Sequence, residues 1–591
     1  MVKKRAPKKV SKTRKAKAVI APAAPQFVAP KQLALPAPRR GWLQKHISRK
    51  LIAVPSAILL ILLVLTAIPA TRYTLPSVVT HKSLSLILLD SQTQSRVQDA
   101  DVSIGGKSYT SDSTGVVWVY GLKPGPQNII ITKPFYKDFA VKVNVPLLTA
   151  ARQQTFTIDP IGRISKVTVK NRLSGRLLVG ALIKTEQGSQ GKTGSDGTAT
   201  LVLPSDQSQV SATVSGDGIL TTTVTVQAVQ DATTNLYQVM PAGKIYFLSK
   251  TSSQVDLVKT NLDGTSRQTV LAGTGREDPT DTILTASADW KFLALKSRRD
   301  SDFAKLYLIE TTSDTVTTMD DSAATFTMDG WSGEAFMYSV VHDEIPVSTV
   351  GRQTLKSYNG ATKKSVTLDT SQAVTTGPAQ SKKAGYGAAT FNEYAAELIQ
   401  NVYILQDQII YVKTWSASYY YGTLLGDKKM VVASVQPDGS GKKVLHDWPA
   451  GYNAYMHSTR GGLDQLYFDV ELDGVRKSYW TYKDGQVTQS TAVTSDDFTK
   501  VAPVYLRSPN GQSTLWNQSN DGRNALFVGN QQAQGASQIA TLTDFAPFGW
   551  YSDDYVVVSR DNNELFTMGR DGIKPGAVPS KVSDYLKNSS F

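Results

Sequence analysis

Residues 51 to 70, LIAVPSAILLILLVLTAIPA, run for twenty positions without a charge. At about 1.5 Å per residue a helix of that length spans roughly 30 Å, the hydrocarbon thickness of a bilayer. Pro55 falls in the first turn, where the missing N–H removes no intrahelical bond. A buried core helix would carry a polar face, and none is present here. The stretch is therefore read as a single membrane-spanning helix.

The flanks orient it. Residues 1 to 50 contain fifteen Lys or Arg and no Asp or Glu, ending in Arg49 and Lys50, whereas the far side opens with Arg72 in a mostly neutral stretch. The excess of positive charge on the cytoplasmic flank places the N-terminus inside and the large C-terminal part outside. A cleaved signal has a short basic region, a shorter core and an A-x-A-like site. Here the basic region is fifty residues long and Ile68-Pro69-Ala70 is a poor site, so an uncleaved signal anchor is expected.

Charge divides the chain into two unlike parts. Its 64 Lys and Arg stand against 49 Asp and Glu, and removing the fifteen bases of residues 1 to 50 leaves 49 against 49. The basic balance belongs to the tail alone, so it gives no reason to expect an exterior that binds nucleic acid. The tail is Lys, Ala and Pro with little to bury and should be disordered. Its bases Lys3, Lys4, Arg5, Lys8, Lys9, Lys12, Arg14, Lys15 and Lys17 suit topology setting and attraction to anionic lipid headgroups. The sharper reading is that the same block grips DNA or RNA beneath the membrane by counterion release. Nothing in the sequence separates the two.

Cysteine is absent throughout, so no disulfide staples the exterior and no thiol serves as nucleophile or metal ligand. Stability must come from buried cores, which a chain of 591 residues can build in several domains. The absence leans towards a bacterial envelope.

Past the membrane, helical periodicity gives way to short alternating runs punctuated by Gly, Asp and Asn. LSLILLD, ADVSIGG, GVVWVYGLKPG, QNIIITK and FAVKVNV fill residues 83 to 158. ISKVTVK, GALIKTE, GTATLVLPSD, SQVSATVSG and TTTVTVQ repeat the scheme over residues 164 to 240. Gly115 and Gly197, 82 positions apart, occupy matching turns. Two tandem β-sandwich domains are expected, over 83–160 and 161–242, after a linker at 71–82. The turns from Thr110 to Gly115 and from Thr193 to Gly197 resemble those of the carboxypeptidase regulatory-like fold. GLKPG at Gly121 to Gly125, followed by NIIITKPFYKDF, also resembles the PEGA type of surface domain, a feature the second copy lacks. Members of both groups mostly serve as structural modules, so the resemblance implies spacing or interaction.

From Lys244 a different unit recurs: an apolar strand, a second strand and an Asp-Gly or equivalent turn, as in KIYFLSKTSSQVDLVKTNLDGTS and DQLYFDVELDGVRKSYWTYKDGQ. Hairpins repeated at about 35 to 50 residues, none able to bury its own faces, stack radially into a β-propeller. The run Ser287 to Leu295 resembles the blade starts of TolB and prolyl-oligopeptidase propellers, with weaker versions at Trp331 and Trp550. Blades counted from 243, 281, 324, 398, 452, 500 and 543 number about seven, over 243–579, with a tail at 580–591. Ala373 to Gln400 reads as an insertion, with FNEYAAELIQ as a short helix. The fold class is thus an all-β ectodomain, two tandem sandwiches and a C-terminal propeller, behind one transmembrane helix and a basic tail.

Peptidases of the prolyl-oligopeptidase kind add an α/β-hydrolase domain, but the sequence has no G-x-S-x-G elbow. His46, His81, His342, His446 and His457 are scattered, and none stands in an H-E-x-x-H frame. No calcium-loop motif appears, so neither a metal nor a cofactor is expected. The aromatic loop TWSASYYYGTLLG offers Trp415, Tyr419, Tyr420 and Tyr421 for stacking on a sugar or anchoring a protein. The competing reading has these rings packed between blades.

These features point to a membrane-anchored extracellular scaffold whose sandwiches form a stalk and whose propeller binds a protein or glycan partner. The alternatives are an envelope hydrolase or lyase using carboxylates in the propeller channel, and a tether from cytoplasmic phosphates to the cell exterior.

Overall fold

The structure is a computed structural model. It describes residues 82–146, 153–380, 390–417, 425–451, 453–472, 476–500, 504–520, 523–541, 545–561, 563–572, 578–585 and 589–590. The expected span at 51–70 and the basic tail lie outside these residues. Among the described residues no helix is long and apolar enough to cross a membrane, and the one α-helix is the four-residue Asp496–Thr499.

The two repeats seen in the sequence have one topology. In the first, the strands Val116–Leu122, Lys82–Asp90 and Gln154–Ile158 form a three-stranded sheet, with the last pair parallel. Lys107–Thr110, Asp101–Ile104, Gly125–Thr132 and Phe139–Val145 form a four-stranded one. Alternate residues of both sheets, among them Leu86, Leu88, Val102, Val117, Ile129 and Ile131, bury into one shared core. In the second repeat, Thr198–Leu203, Arg163–Asn171 and Leu236–Val239 stand in the same order. The four-stranded sheet again matches, as Gln190–Lys192, Leu182–Thr185, Gln209–Ser215 and Thr222–Gln227.

The correspondence extends to single hydrogen bonds. Ser111 Oγ accepts from the Ala100 amide and donates to the Val97 carbonyl; Thr193 Oγ1 accepts from Ala181 and donates to Leu178 in the same way. Asp90 and Asn171 each turn a carbonyl-type oxygen back to cap two amides of the following loop. Gly115 and Gly197 both hold left-handed backbone, at φ of +68° and +66°. An added Cβ would lie 2.7 Å from Arg96 Cβ in one and 2.8 Å from Leu177 Cβ in the other.

Seven sheets follow in chain order among the described residues. Six of them begin with a strand that lines one central cavity: Ile283–Ala286, Thr325–Ser332, Thr390–Leu405, Tyr455–Gly462, Tyr505–Arg507 and Ala546–Ser552. In the fourth sheet Ala373–Gln380 precedes the lining strand. Second strands such as Phe292–Ser297 and Tyr555–Arg560 are almost wholly buried between neighbours. This radial order, inner strands around a cavity and outer strands away from it, is that of a β-propeller.

The first sheet differs. It holds three strands, Lys244–Ser249, Asp256–Asn261 and Gln268–Leu271, and none of its residues lines the cavity. Lys244–Ser249 already has the buried pattern of a second strand. Side chains close the ring here. Trp290 Nε1 of the second sheet donates to the Trp550 carbonyl of the seventh at 2.7 Å, and Tyr551 OH accepts from the Lys244 amide. Thr567 Oγ1 donates to the Leu262 carbonyl, and one apolar core joins the seventh, first and second sheets.

FNEYAAELIQ is strand, not helix. It lies within Thr390–Leu405, paired with Ala373–Gln380 on one side and Gln408–Ala417 on the other. Its two alanines suit a helix in isolation, but Ala395 and Ala396 are buried and paired with strands on both sides. Tertiary pairing overrides the local propensity.

Candidate functional site

Two features of the propeller present chemistry. The first is the central cavity, about 750 Å³ in volume. Asp329 lines it near the end of an inner strand, accepting a 2.7 Å hydrogen bond from Ser339. Burial pushes its carboxyl up to about 7, against the smaller opposing effect of that bond. Arg460 reaches in from the fifth sheet and donates to the Ile404 carbonyl at 3.0 Å; burial lowers its affinity for the proton. Asp464 is held by Arg507 at 2.6 Å and by Gln406 at 3.2 Å. Lys296 is tied to Asp281 at 2.7 Å. Trp331 stacks beside Phe292 and Phe336, and its buried Nε1 has no hydrogen-bond partner among the described residues. The cavity wall thus carries one carboxyl raised by burial, together with the cationic side chains Lys296 and Arg460 and the indoles of Trp290, Trp331 and Trp550.

The second feature is an arm on the fourth sheet. Ala373–Gln380 pairs with Thr390–Ala396, and only the last two of those residues also pair with Gln408–Ala417. The hairpin therefore grows outward from a three-stranded base. At that base Lys413 Nζ meets Glu397 at 2.6 Å and Asp369 at 3.3 Å, while Lys442 meets Asp369 at 2.6 Å. Tyr411 donates to Asp369 at 2.7 Å. Burial alone would raise the Asp369 carboxyl, but Lys442, Tyr411 and Lys413 together hold it below the usual range. All but Lys442 are buried, so the network fixes how the arm leaves the ring.

Of the four aromatic residues singled out in the sequence, Trp415 lies on this base, paired opposite Glu397 and half-buried, with Lys428 Nζ 5.6 Å from its ring centre. Tyr419, Tyr420 and Tyr421 lie outside the described residues, as do the tail bases Lys3 to Lys17. Trp448 is buried against His446 and Trp480 and packs rather than presents. His342 and His446 form no dyad with the carboxylates that follow them: Nδ1 of His342 meets Glu344 at 3.3 Å, and the His446 ring meets Trp448 edge-on, 4.5 Å between centres. Among the described residues no three His, Asp or Glu side chains gather as a metal site. Asp329 gave no sequence signal, because its environment is assembled from strands far apart in the chain. Ser508-Pro509-Asn510-Gly511 is a closer relative of the Ser287 turn than either Trp331 or Trp550, and it is legible in the sequence. Ser508 Oγ and Ser287 Oγ each accept from the amide five residues on, and Gly511 and Trp290 share a positive φ.

Strand direction relates these features to the rest of the molecule. The second repeat docks on the seventh sheet where first strands end and second strands begin. Arg176 pairs with Asp554 at 3.4 Å and Asp571 at 2.7 Å, Asn171 donates to Tyr555 OH, and Gly569 donates to the Leu173 carbonyl. The arm leaves the fourth sheet where second strands end. Because neighbouring strands are antiparallel, these are opposite rims of the ring.

The class that emerges is a β-propeller protein whose described residues are almost wholly β, as strand order and cavity lining show. No family model matches the sequence, and no curated protein does. Solved structures that it is similar to include the β-propeller domain of the Trilobed protease from Pyrococcus furiosus. That likeness has 10% identity over 48% of this chain and 80% of that one, with a TM-score of 0.27. TolB from Acinetobacter baumannii gives 12% identity over 56% and 76%, with a TM-score of 0.24. The shaft pilin SpaA from Lactobacillus rhamnosus GG gives 10% over 28% and 99%, with a TM-score of 0.14. Likeness at these scores carries no argument about function.

Proposed function

We propose that this chain is a membrane-anchored extracellular binding scaffold. The two repeated β units, read as sandwich domains, form a stalk, and the seven sheets, read as seven blades, form the platform. One observation carries the reading: the stalk is fixed to one rim of the propeller while the arm with Trp415 projects from the other. Leu173 of the stalk is buried in the core shared by the seventh, first and second sheets, so the joint is a packed one. The two repeats are likewise joined, with Ile164 and Val202 in the core of the first and Lys192 donating to Gln98. The stretch at 51–70 serves as signal anchor with the N-terminus cytoplasmic, and the arm rim is the one the stalk leaves uncovered. A protein or glycan partner would dock there, while the basic tail meets anionic headgroups. Crosslinking on intact cells with a membrane-impermeant lysine reagent, followed by mass spectrometry, tests this. Links from a discrete protein to Lys428 or Lys429, at the start of the third strand on the arm rim, support the platform. Links confined to the stalk oppose it.

A second reading rests on Asp329. A carboxyl titrating near 7 in a cavity is suited to proton transfer, as an envelope hydrolase or lyase requires. Loss of a hydrolytic or eliminative activity in Asp329→Asn, with the fold retained, would favour it.

A further inference from the structure

The charges in the wall of the central cavity do not balance. Lys296 is matched by Asp281 at 2.7 Å, and Arg507 by Asp464 at 2.6 Å. Asp329 has no cation within ion-pair distance among the described residues, and burial favours its uncharged form. Arg460 stands apart. Its Nη2 donates to the Ile404 carbonyl at 3.0 Å, the one hydrogen bond it makes among the described residues, and no carboxylate of those residues lies within 4.0 Å of it. Asp464 acts on it only from beyond that distance, while Arg507 and Gln406 hold the Asp464 carboxylate. A guanidinium carries five N–H donors in a planar fork, so most of this one's capacity is unused. A cation withdrawn from water without a counter-charge is costly, and such groups concentrate at functional sites.

The surroundings suit a small ligand. Ile404, Arg460, Arg507 and Trp550 reach the cavity from the C-terminal ends of their strands, so Arg460 stands toward the rim opposite the arm. The volume of about 750 Å³ falls within the range of roughly 300–1,000 Å³ common to small-molecule sites. Trp331, Tyr403 and Tyr505 line the cavity without being fully buried, which leaves ring surface for the apolar face of a ligand.

We propose that the central cavity binds a small monoanionic carboxylate, with Arg460 as its counter-charge. The guanidinium fork matches a carboxylate through two parallel hydrogen bonds. One unmatched cation calls for one negative charge, which favours a carboxylate over a doubly charged phosphate monoester. An acidic saccharide and a short peptide ending in a free carboxylate both present this chemistry on a body of suitable size. The site depends neither on the anchor nor on a partner at the arm rim.

The test is isothermal titration calorimetry on the full chain in detergent micelles, with two carboxylate probes, a galacturonate disaccharide and N-acetyl-leucyl-glycine, each beside its neutral primary amide. At least one carboxylate should bind, and its amide should bind about tenfold or more weakly, because the amide cannot supply the charge that Arg460 lacks. The probe that binds identifies the source, saccharide or peptide. Arg460→Gln should lose about tenfold or more in affinity for that probe. Thr327 lines the cavity and is exposed, so Thr327→Trp should weaken binding as much by filling the space, with Arg460 and its bond to Ile404 intact. Binding of neither carboxylate overturns the proposal, as does an amide that binds as well as its acid, a comparison that needs no variant. Undiminished binding in Arg460→Gln overturns it too, and should that variant fail to fold, undiminished binding in Thr327→Trp does so in its place.

Discussion

Asp329 couples the cavity to pH. An unfolded aspartate titrates near 4, whereas this carboxyl is pushed up to about 7 by burial. Below about pH 4 both states hold the proton and the site costs nothing. As pH rises towards 7 the unfolded chain ionises first, so stability is lost across that window and the loss levels off above it. Asp329→Asn should therefore match the parent at pH 4 and exceed it by about 2–4 kcal/mol at pH 8, read from urea midpoints. Equal midpoints at pH 8 would show that the carboxyl is not held protonated. The paired glycines were legible in the sequence, because only a residue tolerant of φ near +67° suits that turn. Gly115→Ala and Gly197→Ala, with a new Cβ against Arg96 or Leu177, should each cost about 1–3 kcal/mol in the same assay. Asp329 was not legible: a desolvated carboxyl looks like any other aspartate until Ser339, Trp331 and the cavity surround it.

At the level of elements, hairpins and their turns could be read from the alternation of β-branched and aromatic residues, since that period survives in any sheet. The arm could not. Ala395, Ala396 and Glu397 favour helix locally, and only the flanking strands and the Lys413 network make them a strand. Lys413→Met would leave the Asp369 and Glu397 carboxylates buried with one partner fewer. We expect a loss of about 3–5 kcal/mol and faster amide exchange in Thr390–Leu405 than in the other inner strands. Adding Glu397→Gln should recover part of that loss. Unchanged exchange in the arm would mean that the network does not hold it.

For the whole molecule, the division into two repeats and a ring followed from the change of period near Lys244, but the joint between them did not. Leu173 sits in a turn of the second repeat, and nothing in its neighbourhood announces that it fills the propeller core, 1% exposed. Leu173→Ala should cost about 2–5 kcal/mol and split one calorimetric transition into two, for stalk and ring separately. A single transition at the parental temperature would show the joint to be incidental. The central claim, a platform held outside the cell by an anchor at residues 51–70, is tested most directly by labelling lysines on intact cells with a membrane-impermeant reagent. The account predicts modification of propeller lysines such as Lys428 and Lys442 and protection of Lys3 to Lys17 until the membrane is opened. Protected propeller lysines on intact cells would contradict it.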